Sequence, residues 1–277
     1  MFRCIQFKYT DRKNKGFLMS RFFSTYEQGV IPLLGELIRN WGKSRAQAAF
    51  NKYNNYKSAK SDVQLLQLQQ KLYQHLISAR SGWDSYDYGE GYYYQGLRAL
   101  GITGFRDTDA RISEMDLTAL VAGKSVLEIG SNTGFLSLGI ASSALKMIGI
   151  DINPYLIKIS QDAAAYLNIK NVEFLVTSFE DFSPESPFEC VISFANHSTY
   201  DGNTKQSLDD YFSKCANLLT ENGLFLFESH PPVIEKENFH KTINMIGQYF
   251  SISSVTELKY GNHLDANRTF IVASKNN

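Results

Sequence analysis

The sequence predicts a doubly wound α/β fold, a mostly parallel seven-stranded sheet with an antiparallel terminal strand, preceded by an N-terminal helical extension. Three observations carry that prediction. Past Leu117, short apolar runs alternate with helical stretches, the arrangement of right-handed βαβ units. Residues 125–135 read as a hydrophobic strand that breaks at Gly130 and Gly134 and resumes as an apolar helix face through Phe135, Leu136, Leu138 and Ile140. Two final strand-like runs, separated by Gly261-Asn262, allow the antiparallel member.

Taken in order, the chain falls into three parts. Residues 1–82 form a basic α-helical extension. Within it, Val30, Leu33, Leu34, Leu37, Ile38 and Trp41 recur at helical spacing, with Pro32 tolerated in a first turn. A second helix runs from Ser44 to about Tyr56. Ser61-Asp62 then offers an N-cap for a third, with Leu65, Leu68, Leu72 and Leu76 on its apolar side. Residues 83–116 are dense in tyrosine and glycine and fit neither period, so they read as a lid or connecting segment. The competing reading has the tyrosines wedging the helical layer against the main domain. Residues 117–277 carry strands at Ser125–Ile129, Lys146–Asp151, Val172–Val176, Glu189–Phe194 and Leu224–Glu228, with helices at Phe135–Ala144, Pro154–Leu167 and Ser207–Leu219. A helix near Glu235–Ile246 and strands at Phe250–Leu258 and Asn267–Ala273 follow.

At 277 residues the chain can bury one large core and a smaller layer. With 43% hydrophobic and 20% charged residues it reads as a globular protein, and no stretch approaches the roughly 18 apolar residues of a membrane span. The N-terminus lacks the apolar core of a secretory signal, and Cys4, Cys190 and Cys215 fit reduced thiols rather than a disulfide framework. The expected location is cytoplasmic. The net charge of zero hides an asymmetry. The first 82 residues hold 14 Lys and Arg against 4 Asp and Glu, and the remainder holds 14 against 24. Such a split suits an anionic partner such as RNA, or a basic layer packed beside an acidic domain.

The glycine-spaced turn decides among nucleotide chemistries. A dinucleotide turn needs glycine at its first, third and sixth positions, but counting from Gly130 these are Gly130, Asn132 and Phe135. No Gly-Lys-Ser/Thr follows, so a phosphate-cradling NTPase loop is absent as well. What stands is Glu128-Ile-Gly130-Ser131-Asn132-Thr-Gly134, followed about 20 residues on by Asp151 at the end of the second strand. Over Gly123 to Ala273 this resembles the class I S-adenosylmethionine-dependent methyltransferases, a Rossmann-like family. The resemblance implies S-adenosylmethionine as cofactor. It also implies that Gly130–Gly134 and Phe135 approach its amino-acid end, that Glu128, the acidic residue that opens the motif, belongs to the cofactor site, and that Asp151 and Ile152 meet the ribose side. For Asp151 a helix N-cap is the competing reading. At the third strand Ser178, Phe179 and Glu180 occupy the adenine-contacting turn. Ser178 departs from the acidic residue often found there.

The fourth strand runs out through Phe194, Asn196, His197, Tyr200 and Asp201, which in the family leads from the methyl end into the acceptor pocket. The proline-rich motif of nucleobase amino methylation is missing, and no proline precedes Cys190 as it would before a cytosine-5 nucleophile. A hydroxyl acceptor follows as the better reading, with a histidine removing its proton. His197 is the first candidate base and His230, after the fifth strand, is the second. Tyr94, Arg106, Arg111, Tyr200 and Asp201 are candidates for the acceptor site, the guanidiniums through a carboxylate or phosphate. No ligand spacing favours a metal. The expected function is therefore O-methylation of a small molecule or saccharide. The alternative is a tRNA or other RNA methyltransferase that uses the basic front, including Lys52, Tyr53, Tyr56, Lys57 and Lys60. A non-catalytic cofactor-binding or scaffolding module is the third class.

Overall fold

The computed structural model describes residues 43–83, 93–197, 205–230, 239–259 and 267–276. The expected helix over Glu27–Trp41, the tyrosine-rich residues 84–92, Tyr200, Asp201 and Gly261-Asn262 lie outside the described residues. The chain divides into two compact units, Met1–Tyr53 and Asn54–Asn277. Of the first, the described residues are 43–53, and all are helical.

Helix α1 (Lys43–Ala59) begins in the first unit and ends in the second. Helix α2 (Val63–Gly82) starts where the sequence places it, because the Asp62 carboxylate accepts the Leu65 amide at 3.0 Å. Its Leu68, Leu72 and Leu76 recur every fourth residue and are buried in one cluster with Leu156, Ile159 and Ala163. Each such leucine contributes about 1.5–3 kcal/mol on burial. Lys71 and His75 on the same helix reach Asp162 at 2.7 and 2.8 Å.

Residues 93–120 are more ordered than their lack of period suggests. Strand β1 (Gln95–Gly96) pairs in parallel with β2 (Arg106–Asp107), and α3 (Thr108–Glu114) and α4 (Leu117–Leu120) follow. The Asp107 carboxylate caps α3 by accepting the Ala110 amide at 3.0 Å. The fully buried residues of α3 are Thr108 and Arg111. A helix that buries polar side chains shows no apolar stripe, which is why the expectation of an irregular segment fails here.

The main sheet consists of β3 (Ser125–Ile129), β4 (Lys146–Asp151), β5 (Val172–Val176), β6 (Phe188–Phe194), β7 (Leu219–Glu228), β8 (Phe250–Glu257) and β9 (Thr269–Lys275). Their order is β5-β4-β3-β6-β7-β9-β8, parallel through β7, with β9 antiparallel to both of its neighbours. Helices α5 (Phe135–Ile140), α6 (Pro154–Tyr166), α7 (Leu208–Asn217) and α8 (Phe239–Tyr249) connect the strands. Central strands read as near-continuous apolar runs because both faces are covered. Leu127, Ile129 and Val191 enter one core with Phe212, Phe225 and Phe250, while Val126, Cys190 and Ile192 enter the other with Met147 and Leu226. Helix α5 stops four residues short of the expected Ala144, and Asn171 Nδ2 donates to the Ala141 and Ala144 carbonyls at 2.8 and 3.0 Å. No helix among the described residues is long and apolar enough to cross a membrane.

From β3 the sheet extends to β4 and β5 on one side and to β6 and β7 on the other. The loops leaving β3 and β6 therefore part at their carboxyl ends, and a crevice at such a switch point is where doubly wound sheets take ligands.

Candidate active site

On the β3 side, the turn owes its shape to backbone conformations that few side chains tolerate. Gly130, Asn132 and Gly134 have φ of 65°, 57° and 70°. Gly130 is exposed, and a Cβ there would lie 2.9 Å from Asn196 Nδ2. Position 130 thus has no room for a side chain beside Asn196 and presents exposed backbone, which fits close approach of the amino-acid end of S-adenosylmethionine. Gly134 serves packing instead, since its Cβ would meet Phe174 at 2.6 Å and Ser160 at 2.7 Å. Ser131 is fully buried and its amide donates to the Ile150 carbonyl at 2.8 Å.

Asp151 closes this turn from β4. Its Oδ2 accepts the Asn132 amide and its Oδ1 the Asn153 amide, both at 2.9 Å. These two bonds orient the Asp151 carboxylate. The helix cap falls to Asn153, whose Oδ1 accepts the Tyr155 amide at 3.0 Å. Glu128 lies beneath, 3% exposed, and accepts the Ser137 hydroxyl at 2.5 Å. Burial pushes its carboxyl up to about 7, against the opposing pull of Ser137 and Arg111.

Two residues to which the sequence reading gave no role at the turn also hold it. Gln95 Oε1 accepts the Phe135 amide at 3.1 Å and the Thr133 hydroxyl at 3.2 Å, tying the upstream segment to the start of α5. Asn196, beyond β6, donates through Nδ2 to the Ile129 carbonyl. Their partners lie 40 and 67 residues away in sequence, so no local spacing reveals them.

The β5 turn is arranged around its own capping. Ser178 Oγ donates to Asp181 at 2.7 Å and accepts the Asp181 amide at 3.0 Å. Phe179 is buried against Tyr211, with ring centroids 4.9 Å apart, and Lys214 donates to the Glu180 carbonyl at 2.7 Å. Ile152, next to Asp151, is half-buried.

The β6 and β7 side is built from rings and charges. His197 and His230 leave adjacent strand ends with ring centroids 5.0 Å apart, and His197 lies 4.9 Å from Phe227. Both histidines are buried, at 4% and 6% exposure. Arg106 and Arg111, read from sequence as anion ligands, are 2% exposed and both donate to Glu228, Arg111 to Oε2 at 2.6 Å. Arg268, which no sequence signal singled out, reaches Oε1 of Glu228 at 3.3 Å and donates to the Ser229 carbonyl at 3.1 Å. Burial alone would raise the Glu228 carboxyl, yet the guanidiniums, Arg106 foremost, hold it well below the usual carboxylate range. The Arg111 guanidinium also lies 5.3 Å over the Phe194 ring, and that of Arg106 lies 5.7 Å over Tyr94.

Residues 120–266 match the family model described as a methyltransferase domain. A Methanocaldococcus jannaschii protein named as a candidate protein N5-glutamine methyltransferase is 30% identical over 138 residues, covering 44% of this chain and 69% of that protein. Ribosomal RNA small subunit methyltransferase G of Legionella pneumophila is 26% identical over 153 residues, covering 52% and 69%. Among solved structures, the N-methyltransferase NodS from Bradyrhizobium japonicum WM9, in complex with S-adenosyl-L-homocysteine, shares the fold. It aligns at a TM-score of 0.53 and 13% identity, over 74% of this chain and 99% of that one. The chain thus belongs to the methyltransferase-domain family and is a class I S-adenosylmethionine-dependent methyltransferase.

Proposed function

We propose that the enzyme methylates a hydroxyl of a small molecule or saccharide, in the cytoplasm, with His197 taking the proton. The observation that carries this reading is the pairing of His197 and His230, with ring centroids 5.0 Å apart, beside the strand that bears the cofactor turn. S-adenosylmethionine, when bound, supplies an electrophilic methyl on its sulfonium. The Gly130–Gly134 turn and Phe135 would hold its amino-acid end and Asp151 its ribose. Ile152, Ser178, Phe179 and Glu180 would flank the adenine, and Phe194 the methyl. An acceptor hydroxyl set in line needs its proton removed as it attacks, and an imidazole nitrogen within hydrogen-bond reach does that. His230 serves as a second base or an anchor. Phe212 and Phe227 beside His197 keep water from competing with the acceptor. Arg106 and Arg111, fixed by Glu228, lie over the Tyr94 and Phe194 rings.

The test has two stages. Titration calorimetry with S-adenosylhomocysteine reports the cofactor site, and isotope-labelled methyl transfer to a panel of hydroxyl compounds identifies the acceptor. His197→Ala is expected to lower transfer about 10²- to 10⁴-fold while leaving S-adenosylhomocysteine binding intact. Undiminished transfer, or methylation of nitrogen in place of oxygen, would overturn the reading.

An RNA acceptor is the second reading. The name of the Legionella relative and the excess of 14 basic over 4 acidic residues in the first 82 favour it. RNA retention on filters that falls steeply with rising salt would support it, and no retention at low salt would exclude it.

A further inference from the structure

We propose that Asn196 is a positioning residue that sets the cofactor turn against the base-bearing loop, and so governs affinity for the amino-acid end of the cofactor. The proposal rests on the reading that this end lies at the Gly130 turn.

Three contacts define the residue. Its Nδ2 donates to the Ile129 carbonyl, the last of β3 before the turn. Its Oδ1 accepts from Ser193 Oγ at 2.9 Å and from Tyr211 OH at 2.7 Å, and those hydroxyls lie 2.8 Å from each other. The orientation of the amide follows from its partners, since a carbonyl can only accept and so must face nitrogen. Each of the two hydroxyls is placed to donate to Oδ1. Tyr211 and Ser193 are buried, at 1% and 0% exposure, so this bracing is shielded from water.

The backbone delivers Asn196 to that place by an unusual route. Ala195 adopts φ of 56°, a conformation alanine rarely takes, and its amide donates to the Glu228 carbonyl at 2.8 Å. The bend turns Asn196 back over β3, where its Nδ2 would lie 2.9 Å from a Cβ at position 130. The next residue is His197. One side chain therefore touches the strand end and turn that receive the cofactor, while its own backbone leads directly into the candidate base. Glycine at 130 and asparagine at 196 form a matched pair, because any Cβ at 130 would crowd the Asn196 amide.

The test compares two ligands that share the adenosine end. S-adenosylhomocysteine carries the amino-acid chain, and 5′-deoxy-5′-methylthioadenosine lacks it. In Asn196→Asp, which keeps the size and replaces the donor with an oxygen facing the Ile129 carbonyl, the Kd for S-adenosylhomocysteine should rise about tenfold or more. The Kd for methylthioadenosine should stay within about twofold. A general packing role would weaken both ligands alike, and that result, or no change in either, overturns the proposal. Should Asn196→Asp fail to fold, Tyr211→Phe removes one donor to Oδ1 and should give the same selective loss at about two- to threefold. Equal loss for both ligands again overturns the proposal. A wild-type chain that binds neither ligand fails at the cofactor reading itself, whereas normal binding to wild type with unselective variants fails only the role of Asn196.

Discussion

The two ends of the crevice are held by different physics. On the β3 and β4 side, the turn is fixed by positive φ angles and by short polar groups, with Asp151 and Gln95 accepting backbone amides. On the β6 and β7 side, one fully buried carboxylate, Glu228, gathers three guanidiniums beside a pair of histidines. The first arrangement stores its specificity in backbone geometry and leaves exposed backbone at Gly130. The second stores it in long-range electrostatics, in which each partner depends on the others. A substitution should therefore act locally on the β3 and β4 side and globally on the β6 and β7 side.

The largest expected effect tests that contrast directly. Glu228→Gln removes the carboxylate shared by Arg106, Arg111 and Arg268 and should cost about 3–5 kcal/mol in urea denaturation. Because the folded-state carboxyl is held below its unfolded value, this stabilisation is present above about pH 4.5 and is lost as pH falls below it. A loss under about 1 kcal/mol would remove the electrostatic side of the comparison. Glu128 should behave in the opposite sense. With a folded value of about 7 against 4.5 unfolded, it retains a proton that the unfolded chain releases, so stability falls as pH rises through that window. Glu128→Gln should abolish the fall, making the variant more stable than wild type by up to about 3 kcal/mol at pH 8 and near-equal at pH 4. Parallel melting curves across pH would contradict the raised value.

Gly130→Ala should cost about 1–2 kcal/mol from its φ of 65° and its approach to Asn196, and should weaken S-adenosylhomocysteine binding in calorimetry. Normal binding by this variant would mean that the bare turn is not the cofactor cradle. The smallest effect belongs to neither end. Lys71 is 59% exposed in its bridge to Asp162, so Lys71→Ala should change stability by about 0.2–1 kcal/mol and leave cofactor affinity unchanged.

The same contrast explains what the sequence could disclose. The turn, Asp151 and the strand pattern were legible because hydropathy and glycine placement within about 20 residues encode them. The Asp62 cap and the apolar stripe of α2 were legible for the same reason. Helix α3 was hidden because it buries Thr108 and Arg111, and hydropathy counts those as surface residues. Arg268 and Gln95 carried no signal, since their value lies in partners brought close only by the fold. Arg106 and Arg111 were read as ligands for a carboxylate or phosphate on cofactor or substrate, and the structure has both donate to Glu228, which lies 122 and 117 residues away. Ser178 looked like a substitute adenine ligand, and the structure gives its hydroxyl a turn-capping bond to Asp181.

The position of β9 also bears on how the chain assembles. This strand follows β8 in sequence yet lies between β7 and β8 in the sheet, antiparallel to each. During synthesis, β8 therefore has no neighbour to join until residues 269–275 have left the ribosome. Until then β7 and β8 each present an open edge, with Phe225 and Phe250 awaiting the face-to-face stack, at 4.3 Å between centroids, that the finished sheet provides. A nascent chain halted at Asn267 would lack those seven residues and so keep both edges open to other chains.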